Sequence, residues 1–161
     1  MATSILFVCT ANICRSPTAE GVFRAMAGQA GLDSSFEIDS AGTGATHVGE
    51  PPSAPAVEVA AARGYDISAI RARQVTGEDI ARFDLVLAMT RGHLVEMRWL
   101  APRELANKPK LLMSYGPPLG ILDVPDPYGR TREDYERAIG LIEMACRGLL
   151  ESLKAQVKMA I

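Results

Sequence analysis

A chain of 161 residues with 48% hydrophobic and 22% charged side chains is long enough for one domain with its own core, and it has the composition of an ordinary soluble globule. Its 17 basic and 19 acidic residues leave a net charge of -2, which gives no electrostatic ground for nucleic acid or an anionic membrane surface as partner. Three cysteines are too few, and odd in number, for a secreted disulfide framework, so a reducing cytoplasm is the expected setting.

The opening segment MATSILFVCTAN has a short apolar run with no basic flank, which predicts a buried strand over Ser4–Val8 rather than a signal peptide. No later stretch has the length expected of a membrane span. Pro17–Ala30 predicts a helix, with Val22, Phe23, Met26, Ala27 and Ala30 on one face and Gly31 as its stop. Phe36–Ala41 alternates like a strand, and a Gly/Pro-rich loop runs from Gly42 to Pro52. Ser53 is placed to cap a helix ending near Arg63, with Gly64 just beyond it. Thr76-Gly-Glu-Asp opens a single turn, Asp84–Met89 reads as a strand, and Thr90–Leu100 as a helix. Lys110–Ser114 is the last strand expected.

The proline-rich stretch Tyr115–Gly129 predicts a loop. Thr131-Arg-Glu-Asp then opens the longest helix, on which Tyr135, Ile139, Ile142, Cys146, Leu149 and Leu153 share one face. No repeat, low-complexity tract or linker divides the chain, so residues 1–161 are expected to form a single domain. Short apolar strands alternating with helices predict an α/β fold with a parallel sheet covered on both sides. Ligands of such folds sit at the carboxyl ends of the strands, and Cys9 ends the first strand.

The stretch VCTANICRSPTAE therefore carries the most information. Cys9 has three readings: half of a disulfide, part of a metal site, or a nucleophile inside an anion cradle. Ser16 followed by Pro17 reads as an N-cap with proline at the first helical position. The loop from Cys9 to Arg15 thus feeds a helix N-terminus, which favours anions. If the loop curls around one point, the N–H groups of Thr10, Ala11, Asn12, Ile13, Cys14 and Arg15 form a nest for a tetrahedral oxyanion. Arg15 adds a planar fork able to pair two oxygens. Free cysteine titrates near ~8.5, and positive surroundings of this kind lower that, so a thiolate nucleophile is expected at Cys9. The Ser16 hydroxyl is placed to donate a hydrogen bond to that thiolate and stabilise it as a leaving group. The substrate's leaving group needs a proton, and Asp126, stiffened between Pro125 and Pro127, is the expected general acid, with Asp123 as its rival. A metal site is short of ligands, since His47 and His93 lie far apart without paired spacing. His47 reads as a surface residue, and Cys146 as core.

With those residues in place, the chain resembles the low-molecular-weight protein tyrosine phosphatase family. VCTANICRSPTAE, DSAGTGATHVGEPP, ARQVTGEDI and DVPDPYG occur in that family's order over nearly the whole chain. The resemblance implies a four-stranded parallel sheet with helices on both faces, a flavodoxin-like or Rossmann-like three-layer sandwich. It also implies cofactor-free and metal-free hydrolysis of phosphotyrosine proteins and aryl phosphates, with inorganic phosphate as product. Cys9 is then the nucleophile, Arg15 the phosphate clamp and Asp126 the acid. Asn12 holds the loop in shape with Ser16 and Ser40, while Ile13 and Tyr128 line the slot for the substrate ring. Cys14 becomes a redox partner that protects Cys9 by a reversible bridge.

The chain departs from the family's habits at Ala11, often glycine, at Thr46, often aromatic, and at Ile70, where many relatives carry histidine. A single tyrosine, Tyr128, follows the Asp-Pro pair. The loss of a polar partner at Ile70 leaves Asn12 more dependent on Ser16 and Ser40. Two alternatives share the cradle: a protein-arginine phosphatase, disfavoured by the bulky apolar Ile13, and a phosphate-binding module without chemistry, which predicts the loss of Cys9 or Asp126. Arsenate reduction would need further cysteines between Arg73 and Met113, and that stretch holds none.

Overall fold

The first strand, β1 (Thr3–Cys9), carries Ile5, Leu6, Phe7 and Val8 in succession, and all four are fully buried. Successive side chains of a strand point to opposite faces, so both faces of this one are covered. Ile5, Phe7 and Cys9 enter one apolar cluster, and Leu6 and Val8 enter another on the opposite side. The structure, a computed structural model, describes residues 2–159. Among them no helix is long and apolar enough to cross a membrane.

Four parallel strands form the sheet in the order β2-β1-β3-β4, with β2 at Phe36–Gly42, β3 at Leu85–Ala88 and β4 at Lys110–Leu111. Among the described residues, five α-helices complete the fold: α1 (Arg15–Gln29), α2 (Ala54–Ala62), α3 (Gly77–Arg82), α4 (Arg91–Leu100) and α5 (Arg132–Met159). Helices α1, α2 and α5 supply the larger cluster, while Ile80 of α3 and Met97 of α4 pack into the other. The result is the expected three-layer α/β sandwich. Because β2 lies on one side of β1 and β3 on the other, the strand order reverses beside Cys9, and a crevice opens there.

Most expected elements form near their predicted limits, and the departures have local causes. Helix α1 begins at Arg15, two residues before Pro17, and Ser16 lies inside it. The cap position falls on Cys14, whose side chain makes no capping bond, and the Ser16 hydroxyl is engaged with Cys9 and Asn12. Proline is tolerated here since the first-turn amides have no helical partner in any case. Ser53 precedes α2 as expected but leaves its amides uncapped, its hydroxyl lying 3.2 Å from Cys14 Sγ and 3.4 Å from the Tyr135 hydroxyl. Gly31 and Gly64 end α1 and α2 at φ values of 72° and 89°, the left-handed stop that glycine adopts at little cost. Thr76 starts a six-residue helix rather than a single turn, fixed by reciprocal bonds with Asp79.

The last strand is the largest correction. Only Lys110 and Leu111 pair with β3, and Leu112–Tyr115 turn into a 3-10 helix. Leu112 and Met113 are both buried in the same cluster, whereas an extended strand would send them to opposite faces. On α5, the predicted face holds: Tyr135, Ile139, Ile142, Cys146, Leu149 and Leu153 are all buried.

Helix α5 rests directly on that 3-10 turn. A Cβ built on Gly148 would stand 1.9 Å from the Tyr115 carbonyl oxygen, whereas one on Gly140 meets nothing within 4 Å. Gly148→Ala is therefore expected to cost about 1–3 kcal/mol through overpacking. Gly140→Ala is expected to be neutral or to stabilise by up to about 1 kcal/mol through helix propensity. Urea denaturation checks this, and equal midpoints for the two variants would contradict the packing described.

Candidate active site

The loop between β1 and α1 is short, and its path is set by Asn12. That residue has φ of 58°, the only non-glycine residue with positive φ among the described residues. Left-handed backbone is unfavourable for a side chain with a Cβ, and the asparagine offsets the cost with three hydrogen bonds. Its Nδ2 donates to Ser16 Oγ at 2.8 Å and to Ser40 Oγ at 3.0 Å, and its Oδ1 accepts from the Arg73 amide at 3.1 Å. Ser40 in turn donates to the buried Glu20 carboxylate at 2.6 Å. Asn12 thus leans on two groups besides the expected serines: the Arg73 amide directly, and Glu20 through Ser40. Arg73 is itself held by Asp39 at 3.0 Å and Asp79 at 2.9 Å.

Partners beyond the loop take four of its carbonyls. The Cys9, Thr10 and Ile13 carbonyl oxygens accept from the amides of Thr43, Gly44 and Ser53 at 2.8–2.9 Å, and that of Cys14 accepts the Thr18 hydroxyl at 2.6 Å. Among the described residues, no acceptor takes the amides of Thr10, Ala11, Asn12, Ile13 or Cys14. Gly42 is required here by close approach, since a Cβ on it would lie 2.6 Å from the Thr10 carbonyl oxygen.

Cys9 Sγ lies 3.0 Å from Ser16 Oγ. The Ser16 oxygen already accepts from Asn12, so its own proton is available to the sulfur, with the Ala41 carbonyl at 3.3 Å as the competing acceptor. Arg15 is 5% exposed, and its guanidinium is fixed at two corners: Nη1 donates to the Val124 carbonyl at 2.9 Å and Nη2 to Thr10 Oγ1 at 3.3 Å. Its Nε is buried and has no partner among the described residues. An orphaned buried N–H of a permanent cation is costly, and an anion would satisfy it.

A cavity of about 230 Å³ opens on these groups. Cys9, Thr10, Ala11, Ile13, Cys14 and Arg15 line it from the loop, and Gly44, Thr46, His47, Asp126 and Tyr128 from the facing segments. Asn12, Ser16 and Ser40 are fully buried or nearly so, and support the loop from behind. Asp126 is half-exposed, with Oδ2 3.6 Å from Arg15 Nη2 and Oδ1 accepting from the Tyr128 amide at 3.1 Å. Its rival Asp123 stays outside the cavity, where Arg91 binds both its oxygens and holds the carboxyl below the usual range. His47, expected as a surface residue, stands in the cavity wall with its ring edge-on to Tyr128 at 6.0 Å. It brings an aromatic ring to the wall where Thr46 itself is small.

The remaining thiols are enclosed. Burial pushes the Cys14 thiol up, against the weaker pull of its contacts with Ser53 and Tyr135, and burial also raises Cys146 in the core. All three cysteines are free. Sequence reasoning missed His93 as part of this region. The imidazole is buried, with Nε2 2.7 Å from Thr10 Oγ1 and Nδ1 3.0 Å from Thr90 Oγ1. The one available signal was Thr90 three residues before it, the cap that accepts the His93 amide. Glu20 and Arg73 carried no signal beyond lying in otherwise informative segments.

A sequence profile of the family described as low molecular weight phosphotyrosine protein phosphatase matches residues 4–159. The chain is 46% identical over 161 residues to a low molecular weight protein-tyrosine-phosphatase of Streptomyces coelicolor, covering 98% of each. The crystal structure of YfkJ from Bacillus subtilis is similar at a TM-score of 0.91 and 36% identity, with 97% of each chain covered. Vibrio vulnificus Wzb in complex with benzylphosphonate is similar at 0.82 and 31% identity, covering 94% of this chain and 99% of that one.

Burial, reinforced by the neighbouring Arg15, pushes the His93 pKa down to about 4 from 6.5. In that window the unfolded chain takes a proton that the folded chain refuses. His93 therefore contributes stability that is fully present above about 6.5 and lost as pH falls toward about 4. Denaturation at about pH 7 and about pH 4.5 is expected to show a smaller acid loss in His93→Gln than in the wild type. Identical losses would contradict a neutral, buried His93.

Proposed function

The chain belongs to the low molecular weight phosphotyrosine protein phosphatase family, and we propose that it hydrolyses phosphotyrosine in proteins and aryl phosphate monoesters through a phosphocysteine on Cys9. One observation carries this reading: Cys9, the half-exposed Asp126 and Arg15, whose Nε has no partner among the described residues, line one cavity. A phosphate dianion placed there satisfies Arg15 Nε and the five loop amides that lack acceptors.

In the first step the Cys9 sulfur attacks phosphorus, the S–P bond forms, and the bond from phosphorus to the aryl oxygen breaks. Asp126 delivers its proton to that oxygen, so a neutral phenol leaves. In the second step water attacks phosphorus and gives a proton to the Asp126 carboxylate, while the S–P bond breaks and inorganic phosphate departs. Ser16, 3.0 Å from the sulfur, donates to the returning thiolate and makes it a better leaving group. Ile13 offers an apolar surface to the substrate ring, with Tyr128 and His47 forming the opposite wall. That surface suits phosphotyrosine better than phosphoarginine. A reducing cytoplasm, in which free thiols persist, is the setting this chemistry requires.

Cys9→Ser is expected to abolish turnover of p-nitrophenyl phosphate while inorganic phosphate still binds, as measured by calorimetry. A near-normal rate would exclude the covalent route. Asp126→Ala is expected to slow hydrolysis by about 10²–10⁴ for substrates with poor leaving groups and much less for good ones. Rates across a series of aryl phosphates measure this, and equal slowing for every leaving group would move the acid elsewhere.

A further inference from the structure

We propose that His93 is a positioning residue for the phosphate clamp, acting through the Thr10 hydroxyl on Arg15. This rests on the reading of the site given above. Two neutral hydrogen-bond acceptors set the guanidinium of Arg15, the Val124 carbonyl and Thr10 Oγ1, while the Asp126 carboxylate stands farther off, 3.6 Å from Nη2. The first belongs to backbone that is itself anchored, since the Val124 amide donates to the Met89 carbonyl at 2.9 Å. The second is a hydroxyl on an exposed residue, free to rotate unless something holds it. His93 holds it: Nε2 lies 2.7 Å from Thr10 Oγ1, and the ring is locked from behind by Thr90 at Nδ1.

The direction of the proton follows from what Thr10 must do. An oxygen accepting from Arg15 has to turn its own proton elsewhere, and an unprotonated Nε2 is the acceptor within reach. The matching tautomer carries its proton on Nδ1, donated to Thr90 Oγ1. Neutral imidazole is also the form that burial beside a cation favours. With both acceptors in place, the guanidinium is pinned through Nη1 and Nη2, and Nε remains the donor kept for the anion. Helix α4, on the other side of the sheet from α1, thereby sets the orientation of a residue at the start of α1.

The test is a double-mutant cycle with His93→Phe and Thr10→Val, read by the Kd of inorganic phosphate and by kcat and KM for p-nitrophenyl phosphate. Losing one neutral hydrogen bond predicts phosphate binding weaker by about fivefold in each single variant, and no weaker in the double variant than in either single one. His93→Gln, which keeps a polar group in reach of Thr10, and Thr10→Ser are expected to recover most of the loss. Multiplying effects in the double variant would overturn the inference, as would wild-type phosphate affinity in His93→Phe. Should His93→Phe fail to fold, Thr10→Val alone decides, since Thr10 is exposed: unchanged phosphate affinity overturns the inference. A wild-type chain that neither binds phosphate nor turns over the ester would instead overturn the reading of the site itself.

Discussion

One residue held in an unfavourable backbone conformation shapes everything around it. Asn12 sits at φ of 58° with its side chain fully buried, and its amide group bonds two serines and a main-chain N–H. A left-handed residue with a Cβ costs about 1–2 kcal/mol, and a few well-made buried hydrogen bonds offset a cost of that size. Around this turn the carbonyls of Cys9, Thr10, Ile13 and Cys14 are bound by groups beyond the loop, while the amides of Thr10 to Cys14 find no acceptor among the described residues. A loop without Asn12 would have no reason to keep its N–H groups free.

The rest of the fold delivers the chemistry to that loop. A central strand buried on both faces ends at Cys9, where the strand order reverses, and α1 begins at Arg15. Five residues therefore separate a strand end from a helix start. Sulfur, free amides and guanidinium meet without any long-range search. The carboxylate proposed as the acid comes from a distant segment, where Arg15 donates to the Val124 carbonyl two residues before Asp126. The same arginine thus belongs both to the proposed anion site and to the contacts that place the carboxylate.

What the sequence made legible was whatever depends on local pattern. The run Ile5–Val8, the apolar face of α5 and the Cys-to-Arg spacing each follow from periodicity or from the short reach of the chain. Hidden were the choices that hydroxyl and carboxylate groups make between local and distant partners. Ser16 and Ser53 stand where caps are expected, yet both spend their hydroxyls on cysteine sulfurs. Lys110–Ser114 has the composition of a strand, but two adjacent residues needed on the same side of the sheet end it after Leu111. Between Asp123 and Asp126, the flanking prolines and the family resemblance favoured the second; Arg91 engages the first, and the second lines the cavity. His93 is 83 positions from Thr10, and no pattern along the chain connects them.

The central claim is that the turn at Asn12 aims sulfur, loop amides and Arg15 Nε at one anion. A crystal structure of the chain with orthovanadate, whose vanadium accepts a fifth ligand as phosphorus does during transfer, tests it most directly. The account predicts vanadium bonded to Cys9 Sγ, with its oxygens taking hydrogen bonds from Arg15 Nε and the amides of Thr10 to Cys14. Vanadate seated elsewhere, or bound in the cavity with Arg15 Nε still unpartnered, would contradict it.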